Sequence, residues 1–332
     1  MKNLLVRSLA GLGVLILAGT AAVADPAIVY SVGGKFDGSF NESAYAGVQR
    51  FETEFKTKVR EFELERDAQS LQALRNFANR GYEPVVAIGF NQASSVTQAA
   101  KDFPDTSFAI VDMVVDAPNV ASYVFKENEG AYIAGLLAAM ATRTGTVGFV
   151  GGMDIPIIRR FLCGYQLGAR SADPDIKVVF NMAGTTPAAF ADPVRGAELA
   201  RSQIGQGADV IIQAAGGTGI GVLQAVADAG VLGIGTDSNQ NGLHPGHVLT
   251  SIRKRVDNAV YDSFRTARDG DFKPGVRVLG LAEGGMDWVL DDNNKSLVTP
   301  DMIAAADAAV AAISSGAIKV HDILTDGACP QP

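Results

Sequence analysis

The chain has 332 residues, 28 basic and 36 acidic side chains, a formal net charge of −8 and two cysteines. That length suits one large or two medium domains, each with a full core. The acidic surplus argues against a nucleic-acid partner, because phosphate contacts need clustered Lys and Arg.

Residues 1–24 have the order of a secretory signal: Lys2 and Arg7, an apolar run from Leu9 to Ala18, then Ala21-Ala22-Val23-Ala24 before Asp25. The run is short for a bilayer span, and no cysteine follows Leu17-Ala18-Gly19-Thr20, where a lipid anchor would be attached. The expectation is a cleaved signal and a soluble periplasmic product of 308 residues with a net charge of −10. An oxidising compartment permits a disulfide between Cys163 and Cys329, but sequence alone leaves two unpaired thiols equally open.

In chain order, the pattern predicts strands over 28–32, 59–64, 84–90, 107–112 and 120–125, with helices over 43–55, 69–79 and 93–101 between them. Runs such as Val85-Val86-Ala87-Ile88 and Phe108-Ala109-Ile110-Val111 are apolar on successive residues. Strands of that kind are covered on both faces, in a parallel sheet flanked by helices. The stretch 59–64 alternates apolar residues with charges and is the weakest strand. After a helix over 129–142 the rhythm restarts, with strands 147–150, 178–181, 210–213 and 231–234 and helices 157–170, 193–206 and 221–229. From Val248 follow a strand, a helix over 256–268, extended segments at 276–281 and 287–290, and a helix over 300–314. No Pro/Gly/Ser-rich linker separates the halves. The predicted fold class is therefore α/β: two doubly wound parallel-sheet lobes joined by a hinge of several chain crossings. The lobes are read as 25–126 plus 250–285 and 127–249 plus 286–332.

Open parallel sheets bind ligands outside the carboxyl ends of their strands. Those ends carry Ser31 and the run Gly33 to Asn41, Gly89-Phe90-Asn91, Asp112, Gly151-Gly152-Met153-Asp154, Ala215 to Gly219, and Gly235 to Gln240. Aromatic faces, carboxylates and amides at these exits suit a polar, ring-bearing solute. Helix capping competes with binding for Asp37, Asn41 and Asp237, which all precede helical or turn segments. The Gly216-Gly217-Thr218-Gly219-Ile220-Gly221 run lacks a Gly-Lys-Ser/Thr ending, so packing of helix on strand is the better reading. His244-Pro245-Gly246-His247 reads as a surface turn, with no metal expected. No Gly-x-Ser-x-Gly elbow or activated thiol appears, so no catalytic residue is assigned. Arg253-Lys254-Arg255 reads, on composition alone, as a solvated helix start.

The segment Gly38-Ser39-Phe40-Asn41-Glu42-Ser43-Ala44-Tyr45-Ala46-Gly47 resembles the first signature of the basic membrane protein family, the nucleoside-binding proteins of ABC importers. Further matches follow in order. They include Phe125 to Gly135, Val147 to Gly152, Gly207 to Gly221, Thr236 to Gln240 and Leu249 to Arg255. The resemblance implies a type I periplasmic-binding-protein fold that holds a purine nucleoside between hinged lobes, without a cofactor, and delivers it to an inner-membrane permease. It implies that Phe40 stacks on the base, with Asn41 and Asp112 near base or ribose edges. Asp237 would accept ribose hydroxyls and Lys254 would donate to the sugar. A second aromatic is expected at Phe190 or, failing that, Phe161. Ser31 stands where the family commonly has an aspartate. With Asp37, Phe90 and Gly216 from the strand exits, these complete the expected ligand-binding set, in a chain expected to act as a monomer. A sugar or other small-solute receptor for signalling and a periplasmic hydrolase are the alternatives.

Overall fold

The computed structural model describes residues 24–330; the expected secretory segment lies outside them, apart from Ala24. The first half of the chain supplies β1 (Ala27–Tyr30), β2 (Arg60–Glu63), β3 (Val85–Ile88), β4 (Phe108–Val111) and β5 (Val120–Phe125). The second supplies β6 (Thr146–Met153), β7 (Lys177–Gly184), β8 (Val210–Ala214), β9 (Leu232–Asp237) and β10 (Val248–Lys254). Two late strands, β11 (Gly275–Leu279) and β12 (Met286–Trp288), return one to each sheet. The strand orders are β11-β5-β4-β3-β1-β2 and β12-β10-β9-β8-β6-β7. Every pairing is parallel except β10 with β12.

The central strands β1, β3, β4 and β8 are buried along their whole length, as continuous apolar runs require. Strand β2, with its alternating charges, is an edge strand and mostly exposed. Charges there block pairing with another chain.

The helices are α1 (Phe40–Phe55), α2 (Ser70–Asn79), α3 (Ala93–Asp102), α4 (Glu127–Ala141), α5 (Pro156–Ala172), α6 (Pro193–Gly205), α7 (Thr218–Asp228), α8 (Val256–Arg268) and α9 (Pro300–Ser314). Helix α1 starts earlier than its apolar pattern suggests. The Asp37 carboxylate accepts from the N–H groups of Ser39, Asn41 and Glu42 at 2.8, 3.0 and 3.1 Å, satisfying its first turn. Helices α4 and α5 cross at backbone contact. A Cβ added to Gly135 would lie 2.0 Å from the Tyr165 carbonyl oxygen, and one on Gly168 1.9 Å from that of Tyr132. Only glycine allows this approach, which brings the start of α4 beside Arg160 of α5. In the glycine run, Gly221 packs helix on helix: its added Cβ would sit 1.8 Å from the Pro193 carbonyl oxygen of α6.

The chain passes between the sheets after β5, after β10 and between β11 and β12. The return expected at residue 250 comes later. Strand β10 pairs with β9 up to Arg253 and with β12 up to Lys254, so residues 250–254 belong to the second sheet. The crossings are bonded to one another: Lys126 N–H donates to the Leu279 carbonyl at 2.9 Å, and Arg255 N–H to that of Gly285 at 2.8 Å.

Cys163 of α5 and Cys329 form a disulfide across 166 residues of sequence. It fastens the tail, whose Val320 and His321 carbonyls accept from the Asn128 amide at 3.0 and 3.2 Å. Replacing both cysteines by serine should lower the unfolding free energy by about 2–4 kcal/mol. Urea melts without reductant check this, and an unchanged midpoint would show that the tether contributes nothing.

Candidate functional site

A cavity lies between the carboxyl ends of the two sheets, the place where open parallel sheets bind their ligands. The structure brings together on its wall all of Ser31, Asp37, Phe40, Asn41, Phe90, Asp112, Phe161, Phe190, Gly216, Asp237 and Lys254. Asn91, named at the β3 exit but left out of the expected ligand-binding set, also lines it, as do Ile155, Ile157, Ile158 and Pro187, which sequence reasoning missed. The isoleucines flank the start of α5 and look like ordinary core residues. Asn91 follows the β3 exit, and that position was its only signal.

One end of the cavity is charged. Lys254, 2% exposed, closes β10 with its ammonium 2.6 and 2.7 Å from the two Asp112 oxygens and 3.0 Å from Glu127. The basic run is therefore no solvated helix start: Arg253 and Arg255 pair with Asp287, while Lys254 turns inward. Behind it, Arg160 lies 3.0 Å from Glu127, donates to the Asp322 carboxylate at 2.8 Å, and also donates to the Phe125 carbonyl. With Asp237, this places four carboxylates around two cations. The surplus favours a ligand that donates hydrogen bonds and disfavours an anion.

Asp112 and Asp237 hold φ angles of 73° and 68°. Left-handed backbone is uncommon outside glycine and collects at functional sites, at a cost of about 1–3 kcal/mol each. In these two cases it turns a carboxylate at the exits of β4 and β9 toward one cavity.

The three capping candidates separate. Asp37 caps α1. The Asn41 amide ties down the β1–α1 loop, accepting from Ser31 N–H at 3.1 Å and donating to the Ser31 and Gly34 carbonyls at 3.2 and 3.1 Å. Asn41 thus lines the cavity with its amide engaged by protein. The Asp237 carboxylate instead accepts from the Ser39 hydroxyl of the facing lobe at 2.7 Å. Ser238 and Gln240 donate to the Ser39 and Gly38 carbonyls, both at 2.7 Å, so the lobes stand closed.

The other end is aromatic. Phe90 and Phe190 face each other edge-on with centroids 6.5 Å apart. Phe190 is seated on backbone, since a Cβ on Gly152 would lie 2.2 Å from its ring. Phe161 is 3% exposed and belongs chiefly to the core. Phe40 lies between the ends, with the Lys254 ammonium 5.4 Å from its ring centre.

Burial pushes Asp37 and Asp112 up to about 6. Backbone N–H groups oppose the rise at Asp37, and Lys254 opposes it at Asp112. Asp237 is raised by burial too, against the pull of Lys254 and Ser39. Burial alone would lower Lys254, but Asp112, Glu127 and Asp237 outweigh it and hold the ammonium charged. A carboxyl raised above its unfolded value of 3.8 stabilises the fold fully below that pH, and the contribution is lost as pH rises through about 6. Asp112→Asn lacks this dependence. Its stability relative to the wild type should therefore improve by about 1–3 kcal/mol between roughly pH 4 and 6. Urea melts across that window check this, and a constant gap would mean that Asp112 titrates as in the unfolded chain.

A family model described as ABC transporter substrate-binding protein, PnrA-like, matches residues 26–321. The ABC transporter nucleoside-binding protein BmpA of Lactococcus lactis subsp. cremoris is 36% identical over 304 residues, covering 84% of this chain and 85% of the relative. An uncharacterized lipoprotein of Pyrococcus horikoshii is 34% identical over 282 residues, covering 80% and 69%. Among solved structures, an ABC transporter system solute-binding protein from Aeropyrum pernix K1 superposes with a TM-score of 0.82 at 27% identity, covering 93% of this chain and 94% of that one. With its two-sheet architecture and interlobe cavity, the chain belongs to the PnrA-like family of ABC transporter substrate-binding proteins.

Proposed function

We propose that this chain captures a purine nucleoside outside the cytoplasm and delivers it, chemically unchanged, to the membrane permease of an ABC importer. The observation that carries this reading is the two-ended cavity. At one end buried carboxylates around Lys254 await hydroxyl donors, as a ribose supplies. At the other, phenylalanines and neutral polar groups offer a surface for a flat heterocycle. The name of the Lactococcus relative, a nucleoside-binding protein, supports the same class. A nucleoside fits the charge balance, whereas a nucleotide would bring a phosphate against the surplus carboxylates. The cleft is built by one chain, so capture requires a monomer only. The N-terminal segment, in which Lys2, Arg7 and the apolar run precede Ala24, supports export, and its lack of cysteine supports release without a lipid anchor.

Thermal-shift and calorimetric titration with guanosine, inosine and adenosine, against ribose and the matching monophosphates, tests the reading. A nucleoside at 100 times its Kd should add about 2.7 kcal/mol of stability, with ribose and monophosphates weaker. The largest response from free ribose would replace the reading with a sugar receptor, and turnover of recovered nucleoside would make the protein an enzyme.

Asp237 reports on the sugar end. Hydrogen bonds to a charged acceptor contribute about 1.5–3 kcal/mol each, so Asp237→Ala should weaken nucleoside binding at least about tenfold. It should also narrow the preference for guanosine over 2′-deoxyguanosine. If both ligands bind the variant as they bind the wild type, Asp237 serves lobe closure alone.

A further inference from the structure

We infer that Asp322, on the C-terminal tail, is a positioning residue for the nucleoside site. The Cys163–Cys329 disulfide holds it in place, so affinity depends on the redox state of that pair. The inference rests on the nucleoside reading and adds to it a residue and a control outside the cavity.

Asp322 acts through Arg160. Its carboxylate accepts from the Nε and Nη2 edge of the guanidinium, with Nε 2.8 Å from one oxygen. A two-point pair of this kind fixes the plane of the guanidinium. The remaining nitrogen, Nη1, is thereby aimed at Glu127, 3.0 Å away, and at the Phe125 carbonyl that ends β5. Glu127 is itself divided: one oxygen faces Arg160 and the other faces the Lys254 ammonium, also at 3.0 Å. Arg160, Glu127 and Lys254 are all buried, so water is a poor substitute for a lost partner. Removing the Asp322 charge leaves Asp112, Glu127 and Asp237 to two cations. Arg160 then competes with Lys254 for Glu127. Lys254 in turn draws harder on Asp112 and Asp237, the acceptors that ribose hydroxyls need. The loss falls on the sugar end and spares the contacts of the base.

The tail reaches Arg160 under the constraint of the disulfide. Asn128 holds it at the Val320 and His321 carbonyls, residues 324–328 are exposed, and Cys329 is pinned to α5. Cys163 lies three residues after Arg160, on the same face of that helix. The ion pair and the disulfide therefore fasten one stretch of tail at neighbouring points. Both cysteines line a groove bounded by α5, β7 and the tail, with Cys163 buried and Cys329 half-buried. A small dithiol can attack the Cys329 sulfur as thiolate, and the Cys163 sulfur leaves. The second thiol of the reagent then displaces Cys329 and closes the reagent's own disulfide. Two electrons pass to the protein, and the two cysteine sulfurs take the two protons of the dithiol. Without the pin, the exposed segment opens more often, and the fraction of time that Asp322 sits on Arg160 falls.

Calorimetry with inosine and 2′,3′-dideoxyinosine, which lacks the two ribose donors, tests this on oxidised and dithiothreitol-reduced protein. Reduction of the wild type should weaken inosine binding by about 3- to 30-fold and dideoxyinosine binding by less than about twofold. The Cys163→Ser, Cys329→Ser double variant should behave as the reduced wild type does. Asp322→Asn should show the same loss while oxidised, and no further loss when reduced. Equal weakening of both ligands would make the tail a support for the fold alone and overturns the assignment. So does an inosine affinity unmoved by reduction and by Asp322→Asn, or a further loss on reducing Asp322→Asn. Each of these leaves the nucleoside reading standing. Failure of inosine, guanosine and adenosine alike to bind the oxidised wild type overturns both.

Discussion

The buried ammonium of Lys254 is the constraint on which the rest of the architecture turns. A cation this deeply buried is held only if several carboxylates surround it in good geometry. Here they come from three places: Asp112 from the end of β4, Glu127 from the start of α4, and Asp237 from the end of β9. Asp112 belongs to the first sheet and the other two to the second lobe, so the ion cluster fixes how the lobes meet. Removing one partner would leave an uncompensated charge, which is costlier than the pair is stabilising.

Glycine packing makes this cluster possible. Because Gly135 and Gly168 let α4 and α5 touch backbone to backbone, Glu127 and Arg160 come within 3.0 Å. Arg160 then reaches the tail through Asp322, and the tail is tied three residues further along α5 by Cys163. A chain of contacts thus runs from the disulfide through Arg160 and Glu127 to the ammonium on the cavity wall. The tail is part of what holds the site's charges in place, although none of its residues lines the cavity.

Much of this was legible in the sequence, and the exceptions have physical causes. Continuous apolar runs identified the central strands because only doubly covered strands tolerate them. Strand exits identified the cavity wall because parallel sheets place every carboxyl end on one edge. Lys254 was obscured by its neighbours: in Arg253-Lys254-Arg255 the strand alternates its side chains, so one basic residue of three turns inward, and composition does not say which. The resemblance to the family supplied that role. Residue 250 failed as a boundary because the crossing falls inside an apparently continuous stretch, with β10 running into α8 across Arg255 alone. Asn91 was named at the β3 exit, but its tie to Asp67, 24 residues earlier, arises only once β1, β2 and β3 are paired.

The contact between the lobes and the cavity wall share one carboxylate in Asp237. One of its oxygens takes the Ser39 hydroxyl from across the cleft at 2.7 Å, leaving the second to the cavity that Asp237 lines. Ser39 stands beside Phe40 at the start of α1, and Asp37 secures that start through the first-turn N–H groups. The loop that carries Phe40 to the cavity wall therefore carries the closing contact as well. Opening the cleft would withdraw Phe40 and Ser39 together and return a buried carboxylate to water, which solvates it well. A ligand that donates to Asp237 and stacks on Phe40 contacts both sides of this joint at once. Its differential affinity for the closed form supplies the free energy by which binding shifts the lobes.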